Sequence, residues 1–537
     1  MERTWNPWLA LVVLCLGTFV VVLDLTIVNV AIPTMLVSLQ ASLDQILWVV
    51  NAYLLTYAVL LVTASRLGDL LGQRNLFVAG LALFTVASAA CGLARDPSQL
   101  IAARALQGVG AAVLSPQALV IISAIFPPQR RGPAFGILSA IIGLASLVGP
   151  TLGGVLVSYL DWRWIFFVNV PVGIAGVVLA FVVVPDLRPG KRHGLDLVGV
   201  ALATAGLIGV VFGLIEGQRY DWGVIAGSRL TIPEVIAAGA FLVAAFMVWE
   251  RFQAEPLLPM SLFRNRNFSI MVWLTAALQF GLLGIMLVST IDLQSVLGMS
   301  AIRAGLTLTP LTLCLMLASP LAGRLTDRIG GRYILMAGFT LAAAGVAGEA
   351  LVESVTSTSL TFAVPLALIG LGMGCIFAPV TTEAMREVPP ALSGAASGML
   401  NTSRQVGATI GTAVLGAVLQ NRLGGALHDR AVTASSALPP QLRAGFIDGF
   451  AKVGAGLGAG AGQGGPELPA GLPPAVAQLV QRLAHDVFVN AYVAAMRPSL
   501  AVAVAAFLFA AVTCALIVSR RVGAAPADRT ARDAIPA

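Results

Sequence analysis

The sequence predicts an all-α polytopic membrane protein, built from two six-helix halves with two additional helices between them. Three observations lead to this prediction: the composition, the number of long apolar segments and a repeated loop motif. Of the 537 residues, 58% are hydrophobic and only 11% are charged, and the mean hydropathy is +0.90. Soluble domains contain about 25% charged residues, so the composition excludes an ordinary soluble protein.

Fourteen apolar segments are each long enough to cross a bilayer as a helix. The first begins near Trp8 and does not resemble a cleavable signal peptide, because no basic run precedes it and no small-residue cleavage site follows it. Arginines, such as Arg130 and Arg131, are concentrated in alternate loops. The positive-inside rule therefore predicts a multi-pass protein with both termini in the cytoplasm. The same rule explains the net charge of +7 without nucleic-acid binding.

A loop motif occurs twice, as "SRLGDLLGQR" from Ser65 and as "GRLTDRIGGR" from Gly323. The two copies lie at equivalent places if predicted helices 7 and 8 are an insertion. We therefore expect an N-terminal half at residues 1–190, two additional helices at 191–262 and a C-terminal half at 263–537. Such a duplication is typical of transporters with a central site.

The connection at about residues 420–497 is predicted to be a long extracytoplasmic loop. It contains "GFAKVGAGLGAGAGQGGPELPAGLPP", which is too rich in Gly and Pro to pack a core. A flexible loop is the default interpretation, and recognition of a partner there is the alternative.

Two opposite charges fall at the same depth of the predicted bundle. Asp24 lies 16 residues after Trp8, roughly 24 Å into a core about 30 Å thick, so it is roughly 6 Å from the outer surface. The predicted helix that carries Arg104 enters the membrane from the outside near Leu100, which places Arg104 at a similar depth. Ionisable groups within membranes usually face the interior and pair, so we predict that Asp24 and Arg104 form a pair or share a water network, and that this arrangement couples protons to transport. A static structural ion pair is the alternative.

The repeated loop motif predicts a contact that controls opening on the cytoplasmic side. A carboxylate can cap the start of a neighbouring helix, glycine allows a tight turn and arginine anchors at the interface. A purely structural role in the turn is the alternative interpretation. The candidate residues are Asp69, Gly72, Arg74, Asp327, Arg328 and Gly330.

Predicted helix 5 carries "GPTLGG", which predicts a hinge at Gly149, Pro150, Gly153 and Gly154. Gly149 and Gly153 share a helix face and allow close approach, while Pro150 removes one helical hydrogen bond. Close packing alone would also explain the glycines.

Further polar residues within or beside the apolar segments are candidates for the lining of a cavity. Arg404 is a second candidate for a buried charge, and Asp292 lies at the outer end of predicted helix 9. The candidates are Asn29, Gln107, Asp292, Asn401 and Arg404.

No motif for enzyme chemistry is present. The chain lacks a GxxxxGK[ST] phosphate loop, and its five cysteines are scattered singly, without metal-ligand spacing. We expect no catalytic residues, no metal site and no cofactor.

Five stretches together resemble the fourteen-helix drug:proton antiporter branch of the major facilitator superfamily. They are "LDLTIVNVAIP", "RALQGVGAA", "GPTLGG", "WRWIFFVNVP" and "GAASGMLNTSRQVGATIG". Several positions depart from the family pattern: Ser65 and Leu70 replace the usual Gly and Arg, Ala145 replaces a Gly, and Asp292 stands where an aromatic residue is common.

The resemblance implies the major facilitator fold and a carrier that works by alternating access. It implies export of hydrophobic or amphipathic drugs or antibiotics in exchange for protons, with Asp24 and Arg104 as the coupling pair. We expect the plasma (inner) membrane as the location, with a surrounding lipid bilayer, small hydrophobic or cationic substrates, no nucleic acid and a monomer. Two alternatives remain open: a dedicated exporter of a single endogenous metabolite or antibiotic, and a non-transporting membrane sensor of the same fold.

Overall fold

A computed structural model describes most of the chain. The described residues are 6–186, 196–217, 220, 222–225, 228–253, 256–299, 301–354, 357–389, 392–454 and 474–518.

The described residues are almost entirely helical. A π-helical segment, Asp292–Val296, follows the eleventh helix. In chain order the α-helices are α1 (Pro7–Ser38), α2 (Leu43–Leu71), α3 (Gln73–Leu93), α4 (Pro97–Ile125), α5 (Pro128–Tyr159), α6 (Trp164–Phe167), α7 (Asn169–Val183), α8 (Leu197–Glu216), α9 (Ile232–Trp249), α10 (Ser261–Arg264), α11 (Arg266–Ile291), α12 (Ala301–Thr307), α13 (Thr309–Ile329), α14 (Arg332–Val352), α15 (Ala363–Arg386), α16 (Ser393–Ser435), α17 (Pro440–Gly454) and α18 (Pro474–Cys514).

Local sequence signals start several of these helices. Ser42 and Gln45 form a reciprocal capping box at the start of α2, and Thr231 and Glu234 form another at the start of α9. Each box satisfies backbone N–H groups that have no partner within the helix. Pro7 stands in the first turn of α1, where its missing N–H costs nothing.

Among the described residues, twelve helices are long and apolar enough to cross a membrane. They include α8 and α9, the two additional helices that the sequence predicts. The long helices α13 and α16 lie outside this set of twelve. The protein is therefore an all-helical polytopic membrane protein, and the count of fourteen crossings stays a prediction.

The helices pack as two groups. The N-group is α1–α7 and the C-group is α10–α18, and each group is held together by packing among its own helices. Helices α8 and α9 pack on each other, and α8 also contacts α2 and α16. The predicted boundaries at residues 190 and 262 stay predictions, and the first falls outside the described residues.

Helices α5 and α2 make the main contacts between the groups: α5 lies against α13 and α15, and α2 lies against α16. Helix α4 also contacts α16, and α5 also contacts α12. The α5–α13 contact is close because glycines face each other there. A Cβ added to Gly132 would overlap the backbone of Gly323, and one added to Gly136 would lie 2.6 Å from the Cα of Pro320. Small residues thus let the two backbones approach directly.

The helical bundle has two ends: α1 begins at one end, the first face, and ends at the other, the second face. Both loop motifs lie at the first face, where α2 and α13 end. Gly72 and Gly330 occupy the same place in the two copies, with φ of 92° and 84° respectively. Positive φ is a conformation that glycine adopts at little cost. The predicted repeat therefore has the same backbone turn in both halves.

The prediction of a long flexible loop at about 420–497 is wrong for most of that segment. Helix α16 continues to Ser435, α17 follows, and α18 begins at Pro474. Buried Leu423, Leu427 and Ala431 recur every four residues, which places them on one face of α16. The Gly- and Pro-rich composition belongs mainly to residues 455–473, which lie outside the described residues.

Candidate functional site

Asp24 and Arg104 contact each other in the interior of the N-group, as the sequence predicts. Arg104 Nη1 donates to Asp24 Oδ2 at 2.5 Å. The relative exposure of Asp24 is 0% and that of Arg104 is 1%, so the pair is fully enclosed by protein. Two charges this deep are tolerated because each one supplies the partner of the other.

Two amide side chains complete the shell of Asp24. Gln107 Nε2 donates to Asp24 Oδ1 at 2.9 Å, and Asn169 Nδ2 donates to the same oxygen at 3.2 Å. Gln107 Oε1 in turn accepts from Arg104 Nη1 at 2.8 Å. Asn169 also donates to Ser88 Oγ at 3.2 Å. Helices α4 and α7 therefore supply these donors to the carboxylate of α1, and α3 positions one of them, Asn169, through Ser88.

The guanidinium of Arg104 is fixed by further contacts with α2 and α6. Arg104 Nε donates to the backbone carbonyl of Val49 at 3.1 Å. The guanidinium carbon of Arg104, Cζ, lies 4.3 Å from the ring centroid of Tyr53 and 5.7 Å from that of Phe166. A planar guanidinium can bond in its plane and stack on aromatic faces at once, which an ammonium cannot do. The site is therefore built for arginine in particular.

Close packing of α5 against α1 positions the turn of α1 that follows Asp24. A Cβ on Gly149 would overlap the side chain of Thr26, and a Cβ on Gly153 would lie 2.8 Å from Cγ1 of Ile27. Helix α5 runs unbroken from Pro128 to Tyr159 through Pro150. The glycines thus have a packing role, Gly154 is buried beside them, and the predicted hinge stays a prediction.

At the first face, the first loop motif contacts the start of α16. The carboxylate of Asp69 lies against Gly394, where an added Cβ would overlap it, and Ser65 Oγ donates to the Gly394 carbonyl. Gln73 Nε2 donates to Asp69 Oδ1 at 3.3 Å. A carboxylate at a helix N-terminus is favoured by the helix dipole. The predicted contact of Asp69 with the start of a neighbouring helix is therefore present, and it joins the two groups.

The second loop motif makes the corresponding contact in the other direction. Asp327 Oδ2 accepts from the backbone N–H of Gly132, near the start of α5, at 3.1 Å. Arg386 approaches Asp327 to 3.9 Å and donates to the carbonyl of Thr326 at 3.1 Å. Each half thus supplies a motif carboxylate to a helix of the other half.

The arginines of the two motifs differ in their surroundings. Arg74 lies 3.6 Å from Asp186, which follows α7, so it stays within the N-group. Arg328 is exposed at the end of α13. An interfacial anchoring role for these residues stays a prediction.

The predicted cavity residues are scattered rather than gathered at one site. Asn29 is exposed on α1, and Asn401 is buried and donates to the carbonyl of Ser397 at 3.0 Å. Arg404 is partly buried and donates to Thr381 Oγ1 at 3.0 Å. Gln107 and Asp292 are buried at 0% and 2% exposure, and their place in the lining of a cavity stays a prediction. Gln107 belongs to the shell of Asp24, because its amide bridges the two charges.

Sequence reasoning missed Asn169 as a partner of Asp24. The residue stands in the apolar run "FFVNVPVG", and an amide in such a run needs a buried partner. Its position at the start of α7, near the second face, could have suggested the depth of Asp24 and Arg104. Glu349 and Glu353 were also missed, although two glutamates flank the apolar stretch "ALV" at the end of an apolar helix.

The arrangement is that of a polytopic membrane transporter: two helical groups meet at the first face, and a buried ion pair lies inside one of them. The Major Facilitator Superfamily pattern matches residues 14–412. The chain therefore belongs to the major facilitator superfamily, whose members are transporters rather than enzymes.

Two relatives and one solved structure illustrate the similarity. The chain is 34% identical over 451 residues to the tetracenomycin C resistance and export protein of Streptomyces glaucescens, covering 84% of this chain and 83% of the relative. It is 36% identical over 430 residues to multidrug resistance protein Stp of Mycobacterium tuberculosis, covering 80% and 78% respectively. The human organic anion transporter MFSD10 (TETRAN) superposes with a TM-score of 0.55 at 15% identity, covering 77% of this chain and 94% of that one.

Proposed function

We propose that this protein is a proton-coupled efflux antiporter, which exports hydrophobic or amphipathic drugs or antibiotics across the plasma membrane by alternating access. The buried Asp24–Arg104 pair is the observation that carries the proposal. The printed names of the two relatives, an antibiotic export protein and a multidrug resistance protein, support the class of substrate.

The contacts of Asp24 support proton coupling. Its carboxylate accepts from Arg104, Gln107 and Asn169, so the ionised form is stabilised while these contacts last. A movement of α1 relative to α4 would remove the counter-charge, and a buried carboxylate without one is favoured in its protonated form. Asp24 would then take one proton from the side to which it opens. Return to the Arg104 contact would release that proton.

In this proposal the first face is the cytoplasmic side, with both termini there. The arginines of the two loop motifs lie at this face, as the positive-inside rule requires of a cytoplasmic side. The contacts of Asp69 with α16 and of Asp327 with α5 join the groups at the same face. They would have to break before a cytoplasmic substrate could enter between the groups.

The partners follow from the same proposal. The substrates are small hydrophobic or cationic drug-like compounds, protons supply the driving force and no cofactor is required. The protein acts as a monomer in the lipid bilayer and does not bind nucleic acid. The alternative of a dedicated exporter is supported by the Streptomyces glaucescens relative, whose printed name ties it to a single antibiotic.

Inverted membrane vesicles test the proposal with Asp24→Asn. Under an imposed proton gradient, vesicles with the wild type should accumulate a substrate found in a drug-susceptibility panel, and addition of that substrate should release protons. Asp24→Asn should abolish both signals, because an amide cannot bind and release a proton in this range. The matched control is Asp429→Asn, an exposed aspartate on α16, which should behave as wild type.

Export by Asp24→Asn at the wild-type rate under the gradient would show that the coupling assignment is wrong. Absence of gradient-driven counterflow in the wild type for every compound of the panel would contradict the exporter and favour the sensor.

A further inference from the structure

Three carboxyl side chains come together at the second face of the C-group, apart from the Asp24 site. Asp292 begins the π-helical segment after α11, Glu349 lies in the last turn of α14, and Glu353 follows that helix. Their relative exposures are 2%, 2% and 1% respectively. Three ionised carboxylates would be strongly disfavoured in a place this dry, both by lost hydration and by mutual repulsion.

In the part of the chain that the structure describes, most of the oxygens of the three carboxyl groups accept no hydrogen bond from another protein group. Ser289 Oγ donates to Glu349 Oε1 at 2.5 Å, and the carboxyl groups of Asp292 and Glu353 face each other at hydrogen-bonding range. Among the described residues, no donor reaches Asp292 Oδ1, Glu349 Oε2 or either carboxyl oxygen of Glu353. Two carboxyl groups can bond to each other only if one of them carries a proton.

The two arginines beside the cluster are exposed, and the charge of Arg497 opposes the effect of burial on the pKa of Glu353 only in part. Tyr492 of α18 is buried beside it, but its hydroxyl donates to the carbonyl of Val288 at 2.8 Å. Arg497 of α18 is exposed and donates to the backbone carbonyl of Glu353 at 3.4 Å. Arg303 of α12, which packs on the π-helical segment, is also exposed. Three buried carboxyls therefore face no buried cation among the described residues.

The backbone around Asp292 is specialised as well. The regular α-helix gives way to a π-helical turn, which the Leu297 N–H closes by donating to the Asp292 carbonyl at 3.0 Å. Such wide turns are rare and are frequent at functional sites, because they re-aim a side chain within a helix. Here the turn directs Asp292 toward the C-terminal end of α14.

We propose that Asp292, Glu349 and Glu353 form a second proton-binding site, which holds at least one proton at neutral pH. This site rests on the proposed function only where its proton is taken to be one that the antiporter transports. Equilibrium binding of a proton needs no substrate and can be tested separately. The described residues contain no cluster of His, Cys, Asp or Glu arranged to hold a metal ion. Burial and the neighbouring Asp292 charge raise the pKa of Glu353 well above its usual range.

Infrared spectroscopy of the purified full-length protein in detergent tests the site directly, because protonated and ionised carboxyls absorb at different frequencies. Wild type at about pH 7 should contain a protonated carboxyl that Glu353→Gln lacks, and this carboxyl should lose its proton only well above the usual pH range of a glutamate, because burial and the Asp292 charge raise the pKa of Glu353. The control Glu234→Gln changes an exposed glutamate at the start of α9 and should leave the signal unchanged.

A second variant separates a proton site from a merely structural cluster. Asp292→Asn removes the like charge that faces Glu353, so the same carboxyl should titrate at a lower pH than in wild type, with its signal kept. Equal protonated-carboxyl signals in wild type and Glu353→Gln, or an unchanged titration in Asp292→Asn, would overturn the proposal. Loss of the wild-type signal on addition of Mg²⁺ or Ca²⁺ at a constant pH of about 7 would also overturn it, in favour of a cation site.

The outcome for this site is independent of the outcome for the proposed function. A Glu353-dependent proton in detergent without substrate-driven proton release in vesicles would contradict the antiporter and leave the second site standing. Wild-type proton release in vesicles together with an unchanged carboxyl signal in Glu353→Gln would contradict only the second site.

Discussion

Arg104 is held by contacts of different kinds, so its removal should reveal how much each depends on charge. Arg104→Gln leaves Asp24 buried without a cation, and breaking a buried pair in this way costs about 3–5 kcal/mol. The loss should grow as the pH rises, because only the protonated form of an unpaired buried carboxyl is tolerated. Thermal unfolding of the purified variant in detergent at several pH values measures both effects.

The double variant Asp24→Asn/Arg104→Gln is the informative partner, since it removes both charges. It should recover most of the lost stability and show no pH dependence of the kind expected for Arg104→Gln. Arg163→Gln is the control. Arg163 and Asp161 pair at 3.4 Å, and their side chains are 34% and 47% exposed. Loss of this pair should lower the free energy of unfolding by less than about 1 kcal/mol. A double variant as unstable as Arg104→Gln would contradict a coupled pair.

The residue scale also shows what a single sequence can supply. The pairing of Asp24 with Arg104 follows from counting helical rise in two helices that enter from opposite sides, because both charges then reach one depth. Asn169 and Gln107 could not be assigned as partners of Asp24 in the same way. A neutral amide in an apolar segment shows only that it needs a partner, and which one depends on how the helices rotate against each other.

Helix contacts at the first face depend on glycine at one position in particular. In Gly394→Ala, the added methyl group would overlap the Asp69 carboxylate, so the start of α16 must move away from α2. Spin labels at Leu71 and Ile329, exposed residues at the ends of α2 and α13, should then report longer distances between the groups at the first face. Transport should change with them, because the balance between the two conformations shifts.

Gly425→Ala is the matched control for this experiment. The residue lies on the same helix, and nothing stands within 4 Å of an added Cβ. It should leave the label distances unchanged and stabilise α16 by a few tenths of a kcal/mol to about 1 kcal/mol, since alanine favours the helix. Unchanged distances in Gly394→Ala as well would mean that the Asp69 contact does not hold the first face together.

At the scale of elements, the loop motif and its repetition could be predicted, and the partner helices could not. The two copies of the motif can be recognised in the sequence because Asp69 and Asp327 occupy the same position in each. Which helix start each carboxylate faces depends on how two separate groups meet. The error at residues 420–497 has a different cause: the Gly- and Pro-rich stretch dominated the composition, although Leu423, Leu427 and Ala431 already carried a helical stripe.

The whole molecule extends well beyond a membrane at its second face. Helix α16 has 43 residues, which at 1.5 Å per residue gives roughly 65 Å, about twice the thickness of the hydrocarbon core. Its far end packs with α17 and with the beginning of α18. Phe446 and Phe450 of α17 are buried there, with ring centroids 5.2 Å apart. The extension is therefore a small helical bundle with its own apolar core.

Phe450→Ala should loosen this bundle and spare the membrane core. Truncation of a buried phenylalanine costs about 3–5 kcal/mol, which exceeds what so small a bundle can lose without opening. Limited trypsin digestion should accelerate at Arg443 and Arg482, while substrate transport in vesicles stays at the wild-type rate. Leu479→Ala, at a residue 38% exposed, should digest as wild type does, and equal digestion of both variants would contradict a packed extension.

The pair α8 and α9 carries a consequence for how the chain could have acquired it. A chain that crosses a bilayer twice returns to the side from which it started. Insertion of two consecutive crossing helices therefore leaves the membrane orientation of the following helices unchanged. Helices α10–α18 enter the bilayer from the same side with or without the pair. Gain of a single helix would have turned the C-group upside down and moved the contact between Asp327 and Gly132 to opposite surfaces of the bilayer. Two helices are thus the smallest addition that such an architecture can accept between its halves.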